Sequence, residues 1–332
     1  MHKCCGTNQR KIPQRRVNGL QLPLNWYQVV CWLVIVATAI VNFVVLINIQ
    51  FYELRLASFV IYAVLYSCHL ISHVAALLLD PAEEDLRKME LNTIPEFDRS
   101  VHAHVIENGR CHLCNINTSN KKTKHCGLCN KCVYHFDHHC KWLNNCVGRR
   151  NYTAFVICVA SALLLSIYTT SLCIIDVIFF LTNMGHLSKY VQNYIACPMI
   201  PKFLITKYCP RSVAFLTFLI LLGLCGFVIA CALLHLLCFH IYIAVLGVST
   251  YEYIVQNSNQ DAQHKCNMGK FYFIKKKSKE PASSGPNENV SVIDSGVSNL
   301  ISILINKEIV KAKNKYGPDR NKIYPGDENI IS

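Results

Sequence analysis

Apolar residues along this chain gather in four long runs, each closed off by polar and basic stretches. A helix needs about 20 apolar residues to cross a hydrocarbon core of roughly 30 Å. Trp26–Ile49, Leu56–Leu79, Tyr152–Leu181 and Val213–Leu246 all reach that length. Only the polar step Gln50-Phe51-Tyr52-Glu53-Leu54-Arg55 separates the first two, and the last two form a second pair. The pattern predicts an all-α polytopic membrane protein with four transmembrane helices and a polar segment, 80–151, between helices 2 and 3. The first run follows a basic tail and lacks a small-residue cleavage site, so it is expected to stay in the membrane as a span.

Composition agrees with this reading. Of 332 residues, 52% are hydrophobic and 16% charged, too apolar for a soluble chain of two ordinary domains. Basic flanks are retained on the cytoplasmic side. Lys and Arg number 5 in the N-terminal tail (1–25), 11 in the central segment and 12 in the C-terminal region (247–332), against 1 and 4 in the two remaining loops. Both termini and the central segment are therefore expected in the cytosol, with 183–211 as the sizeable lumenal loop. The net charge of +13 follows from topology and attraction to anionic lipid, and no RNA- or DNA-reading motif is visible, so no nucleic-acid partner is expected. Cys197 and Cys209 lie in the lumenal loop, where an oxidising compartment permits pairing. After 275 the composition cannot bury a core and predicts disorder, with Asn299–Lys313 either a surface helix or a solvated tail.

Nineteen cysteines in a short secreted chain would suggest a disulfide scaffold, but here many fall in CxxC pairs beside histidine, the pattern of metal binding in a reducing compartment. Cys111, Cys114, His125, Cys126, Cys129, Cys132, His139 and Cys146 supply eight ligands within 36 residues, enough for two closed tetrahedral zinc sites. Metal binding would fold a segment too poor in apolar residues to build its own core.

Cys140 is then left over. His138 can accept its proton and Asp137 can fix the imidazole tautomer, the parts of an activated nucleophile. A second reading has His138 and Asp137 supporting the zinc shell instead. Spacing alone leaves both open.

The run Cys111-x2-Cys114-x10-His125-Cys126-x2-Cys129-x2-Cys132-x4-Asp137-His138-His139-Cys140-x-Trp142-x2-Asn145-Cys146-Val147-Gly148-x2-Asn151 resembles the DHHC cysteine-rich domain of protein S-acyltransferases. The resemblance is specific over about forty residues, and the four-span layout around it is also similar to that family. It implies that Cys140 carries the acyl-enzyme, with His138 as base and Asp137 orienting it. It implies one zinc on Cys111, Cys114, His125 and Cys132, and another on Cys126, Cys129, His139 and Cys146. Asp80-Pro81-Ala82 resembles the family's Asp-Pro-Gly motif, and Ser249-Thr250-Tyr251-Glu252 its Thr-Thr-x-Glu motif, with Thr250 available to the catalytic centre. The implied reaction moves a long-chain acyl group, palmitoyl above all, from acyl-CoA to cysteines of membrane or peripheral proteins at the cytosolic face. The implied compartment is the endoplasmic reticulum or Golgi, with endosomes as an alternative.

Three departures stand out. The spacer before His125 has ten residues where nine are usual, its customary proline is absent, and Lys141 replaces the proline that commonly follows the nucleophile. In these features the chain resembles the subgroup around mammalian DHHC-type member eleven. Trp142 and Phe155 are read as residues at the mouth of an acyl cavity or as interfacial anchors. Lys141, Arg149 and Arg150 are read as partners for CoA phosphates or as topology determinants. His69 and His73, four apart on the second span, suggest packing or interhelical hydrogen bonding more than metal, and Asp176 a polar partner near the lumenal end of the third. Cys4 and Cys5 beside the basic tail are candidate acylation sites. Two other functions compete: a non-catalytic membrane adaptor docking through the zinc segment, and a membrane-anchored ubiquitin ligase, which the ligand order fits poorly.

Overall fold

The computed structural model describes residues 14–89, 100–196 and 209–258. The expectations for Cys4, Cys5, Cys197 and everything after 258 lie outside the described residues. One compact unit runs to Tyr253; of a second, 254–330, only 254–258 are described, and these are helical.

Four helices are long and apolar enough to cross a membrane: Trp26–Ile49, Tyr52–Leu78, Tyr152–Thr182 and Pro210–Val245. The first begins as α1 (Trp26–Ile40), passes through a π-helical stretch, Val41–Leu46, and ends in a short α2 (Ile47–Ile49). Asn25 caps it by accepting from the Tyr27 amide. The π-helical stretch carries buried Asn42, whose amide donates to Tyr66 Oη (3.0 Å) and Thr169 Oγ1 (3.2 Å), tying this span to two others. The second span, α3 (Tyr52–Leu78), starts four residues before the position its apolar run suggests, because Tyr52 and Glu53 already lie in helix. A short helix, α4 (Glu84–Lys88), follows it.

The third span, α5 (Tyr152–Thr182), packs chiefly against the fourth, α7 (Pro210–Val245), and against α3. Small residues permit the α5–α7 approach: a Cβ at Gly226 would stand 2.6 Å from Thr170 Oγ1. Tyr62, Leu172, Phe180 and Leu219 fill the packed end of the bundle beside α6 (Lys189–Ile195). Here Gln50 donates to Asp176 at 2.6 Å, supplying that carboxyl's polar partner. His69 and His73 are likewise held between helices, His69 against the Cys158 carbonyl (3.1 Å) and His73 accepting from Trp32 Nε1 (3.2 Å).

The all-α expectation fails between α4 and α5, where seven short strands form three small antiparallel sheets. They are β1 (Ile106–Glu107), β2 (Arg110–Cys111), β3 (Ile116–Asn117), β4 (Lys124–Cys126), β5 (Lys131–Val133), β6 (His138–Cys140) and β7 (Asn145–Val147). Two- and three-residue strands carry no periodic signal, so the cysteine spacing gives no hint of them. Their turns use asparagine in the left-handed region, as at Asn108, Asn115, Asn130 and Asn144, a conformation asparagine tolerates better than most residues. Asn108-Gly109 closes the β1–β2 hairpin.

The N-terminal residues expected to be a tail are partly built in. From 14 to 25 the chain runs across the strand segment: Arg16 N–H donates to the Cys129 carbonyl, and Gly19 N–H to that of Leu77. A side chain at Gly19 would put a Cβ 2.1 Å from the Leu143 carbonyl oxygen.

Candidate active site and metal centres

Strand geometry explains why the eight ligands interleave. Neighbouring residues on a strand face opposite ways, while directly paired residues on adjacent strands face the same way. His125 pairs with Cys132 across β4–β5, and His139 with Cys146 across β6–β7. The adjacent His125 and Cys126 therefore serve different sites. His125 and Cys132 meet Cys111 and Cys114, while His139 and Cys146 meet Cys126 and Cys129, and within each quartet the ligand atoms lie within 4.8 Å of one another.

These quartets fit a tetrahedral ion. With sulfur at about 2.3 Å and nitrogen at about 2.1 Å from zinc, each S···N edge should be about 3.6 Å. The sulfurs of Cys114, Cys111 and Cys132 stand 3.3, 3.6 and 3.9 Å from His125 Nδ1. Those of Cys129, Cys146 and Cys126 stand 3.3, 3.7 and 3.8 Å from His139 Nδ1. Electrostatics agree. Hydrogen bonds from Cys114 and Cys132 hold the Cys111 thiol well below the usual range, while thiols Cys111 and Cys114 push Cys132 up. Cys126 is likewise held down by Cys129 and Cys146, and Cys129 is pushed up to about 12, first by its bond with Cys126. One thiolate per quartet repels a second unless a cation balances them. The residues thus fit two closed metal centres, and the sulfur-rich donor set suits zinc.

The same alternation sends His138 and Cys140 to the face opposite His139. Cys140 belongs to neither quartet and is 8% exposed, clustered with Ala76, Leu143, Val147, Phe155 and Val159 and lined by Leu233, Leu236 and Leu237 of α7. His138 Nδ1 lies 2.7 Å from Asp137 Oδ2, and the ring's other polar partner is the Cys140 side chain. Burial disfavours charge on His138, but Asp137 and Cys140 outweigh it and push the ring up to about 10. Asp137 is held below the usual carboxylate range: burial raises it, and the bonds from His138 and Thr250 more than offset that.

Thr250 reaches Asp137 twice, through its amide to Oδ1 (3.0 Å) and its hydroxyl to Oδ2 (2.8 Å). Its position follows from a capping box. Ser249 N–H donates to Glu252 Oε2 (2.8 Å) and Glu252 N–H to Ser249 Oγ (3.2 Å), starting a helix whose Thr250 amide meets the Asp137 carboxylate and whose Tyr251 amide donates to the Asp137 backbone carbonyl.

Of the other residues singled out, Phe155 packs edge-on against His138 with centroids 5.3 Å apart and belongs to the same apolar cluster as Cys140. Trp142 does not join that cluster: it is 49% exposed and stacks edge-on with Tyr27 at the start of α1. Arg150 donates to the Asp80 carbonyl (2.8 Å). Arg149 lines a cavity of about 420 Å³ beside Asp137, with Lys122 and His135. Lys141 opens the β6–β7 loop, and the Asn144 amide donates to its carbonyl. His240 of α7 was not singled out, yet it lies with Asp137 and His138, 5.0 Å from the Phe155 ring and 3.4 Å from Tyr152 Oη. The signal in the sequence is a polar residue in an apolar run, shared with His235 five residues earlier.

Two departures from the family motifs, the long spacer before His125 and Ala82 in place of glycine, are accommodated. The long spacer is tied to Glu83, whose carboxylate accepts from the hydroxyls of Ser119 and Thr123. Ala82 packs in the core without left-handed backbone, so glycine is not required there.

The family model described as DHHC palmitoyltransferase matches residues 104–257. Palmitoyltransferase ZDHHC11 of Homo sapiens is 38% identical over 258 residues, covering 76% of this chain and 62% of that protein. Probable palmitoyltransferase ZDHHC11B of Homo sapiens is 37% identical, covering 76% and 69%. Palmitoyltransferase ZDHHC1 of Homo sapiens is 39% identical, covering 73% and 51%. With its two Cys/His quartets, the Asp-His-His-Cys strand between them and these relatives, the chain belongs to the DHHC palmitoyltransferase family.

Proposed function

We propose that the protein is an S-acyltransferase that carries a long-chain acyl group on Cys140 between acyl-CoA, palmitoyl-CoA above all, and cysteines of protein substrates at the cytosolic face. The observation that supports this most is Cys140 itself. It is left out of both metal quartets, shares a strand face with His138, and opens onto an apolar cluster of the spanning helices.

In the first step His138 Nε2 takes the Cys140 thiol proton, the sulfur attacks the thioester carbonyl, the bond from carbon to the CoA sulfur breaks, and His138 passes that proton to the leaving CoA sulfur. Acylation removes the charge on Cys140 that helps hold a proton on His138. The ring is then ready to accept the proton of the substrate thiol, whose sulfur attacks the acyl-enzyme and releases Cys140. Asp137 holds the tautomer through Nδ1, and Thr250 holds Asp137. Thioester exchange is nearly balanced in energy, so the protein's work is positioning and thiol activation.

The acyl tail has a path. Phe155, Val159, Ala162, Ser166 and Thr169 follow one face of α5 at helical spacing. The first two line the Cys140 cluster, and the last three line an apolar cavity of about 230 Å³ among the spans, with Leu233 common to both. Burying the tail is worth about 0.8 kcal/mol per methylene. For CoA, Arg149, which lines the cavity beside Asp137, is preferred to Arg150, which donates to the Asp80 carbonyl, and to Lys122, which bonds the Gly247 carbonyl and pairs with Glu252. Zinc would fill both quartets as a structural ion. Orientation has one further support: Cys209 is disulfide-bonded and begins α7, the end opposite the reduced cysteines of the strand segment. This suits a lumenal position for Cys209 and a cytosolic one for Cys140 in an endoplasmic reticulum or Golgi membrane.

Incubation of the purified protein with labelled palmitoyl-CoA should give a hydroxylamine-labile adduct that disappears in Cys140→Ser. A persisting adduct would sink the assignment. Thr250→Val removes one hydrogen bond to a charged group and should slow acyl loading about tenfold, with Thr250→Ser restoring it. Single-turnover loading measures both variants, and zinc content should not change.

A further inference from the structure

Lys131 lies between two metal ligands and is 0% exposed, an unusual place for an ammonium group. Its Nζ is 2.8 Å from Asp80 Oδ1, 3.2 Å from Asn145 Oδ1 and 3.2 Å from the Val17 carbonyl. Three separate parts of the chain therefore converge on one charge: the segment just after α3, the strand β7, and the N-terminal stretch that crosses the domain.

Asn145 gives this cluster its importance. It is the residue directly paired with Cys140 across β6–β7. Its side-chain amide donates to the Leu77 and Leu79 carbonyls, 3.3 and 3.2 Å away at the C-terminal end of α3, while its oxygen accepts from Lys131. Asp80, the anionic partner, follows those carbonyls directly. A connected polar path thus runs from the end of the second span through Asp80, Lys131 and Asn145 to the strand register of Cys140.

We propose that Lys131 is a positioning residue: by ion-pairing with Asp80 and bonding Asn145, it bolts the Cys140 ribbon to the end of α3 and sets the sulfur at the mouth of the apolar cluster. This rests on the acyltransferase reading of Cys140 for its consequence, though not for its geometry. A buried ion pair is poor as a source of stability but well suited to fixing one arrangement, since removal of either partner leaves an uncompensated charge in the interior.

The test compares Lys131→Met, Lys131→Arg, Asp80→Asn and the double variant Lys131→Met/Asp80→Asn in the full chain reconstituted with zinc. Zinc per chain, amide exchange at 138–147, alkylation of Cys140 by iodoacetamide and acyl loading from palmitoyl-CoA are read on each. In Lys131→Met, two zinc should remain, alkylation should stay within about threefold, and loading should fall about a hundredfold, the loss expected from a displacement near 1 Å. Exchange at 138–147 should accelerate. The double variant, which leaves no unpaired charge, should recover at least about tenfold of the loading. Unchanged exchange and loading in Lys131→Met would overturn the proposal, as would parallel loss of alkylation and loading, or a double variant no better than the single. If the wild type fails to load while Lys131→Met still loosens 138–147, the acyltransferase reading falls and the bolt stands.

Discussion

Stripping the metal from the purified protein is expected to unfold the strand segment between 106 and 147 while the four long helices persist. The segment's sheets hold two or three residues per strand, and its packed residues include the ligands Cys111, Cys114 and Cys132 themselves. Metal binding in such small sites supplies on the order of 10 kcal/mol of folding free energy per ion, which the remaining apolar contacts cannot replace. The helices draw their stability from packing of α3, α5 and α7 and should be indifferent. Zinc should fall from about two per chain to none, amide protection should vanish across β1–β7, and the helical circular dichroism should change little. Single ligand variants sharpen the expectation. Cys146→Ala removes a ligand from the ribbon that carries Cys140, so it should lose one ion and nearly all acyl loading. Full protection of 106–147 in metal-free protein would refute the ligand assignment.

Much of this was legible in the chain. The spans follow from run length, and the two quartets from ligand spacing together with the resemblance, because few residue types bind zinc and fewer recur at those intervals. Periodicity could not reveal the strands, which are shorter than any period it needs. Nor could it reveal the burial of Lys131 and Asn145, whose partners lie 51 and 68 residues away in sequence. Lys131 reads as one more basic residue of a cytosolic flank until Asp80 is seen beside it. Trp142 and Phe155 make the same point in reverse: the sequence leaves each open between cavity mouth and interfacial anchor, and only the fold separates them, with Phe155 against His138 and Trp142 against Tyr27 at the start of α1.

Asp137→Asn is expected to reduce single-turnover acyl loading by about 10³–10⁴-fold near neutral pH, the scale of losing the carboxylate that orients a catalytic histidine. An asparagine amide can present a donor to His138 Nδ1, favouring the tautomer that turns a proton away from the position where one is needed. It also removes the charge that stabilises the imidazolium. The effect should show in pH dependence as well as rate. His138 is pushed up to about 10, so its interactions contribute fully below its ordinary value, about 6.5, and are lost as pH rises through about 10. Asp137 is held down, so its contribution is present above its ordinary value, about 3.9, and is lost as pH falls below it. Wild-type loading should therefore stay high from pH 7 to 9 and decline on the alkaline side near 10. In Asp137→Asn the alkaline decline should move toward neutrality, because the remaining Cys140 interaction must hold the proton against burial alone. Loading and its pH profile in the variant, with zinc content as the control, decide the matter: a rate within tenfold of wild type and an unmoved alkaline limb would show that Asp137 only supports the fold.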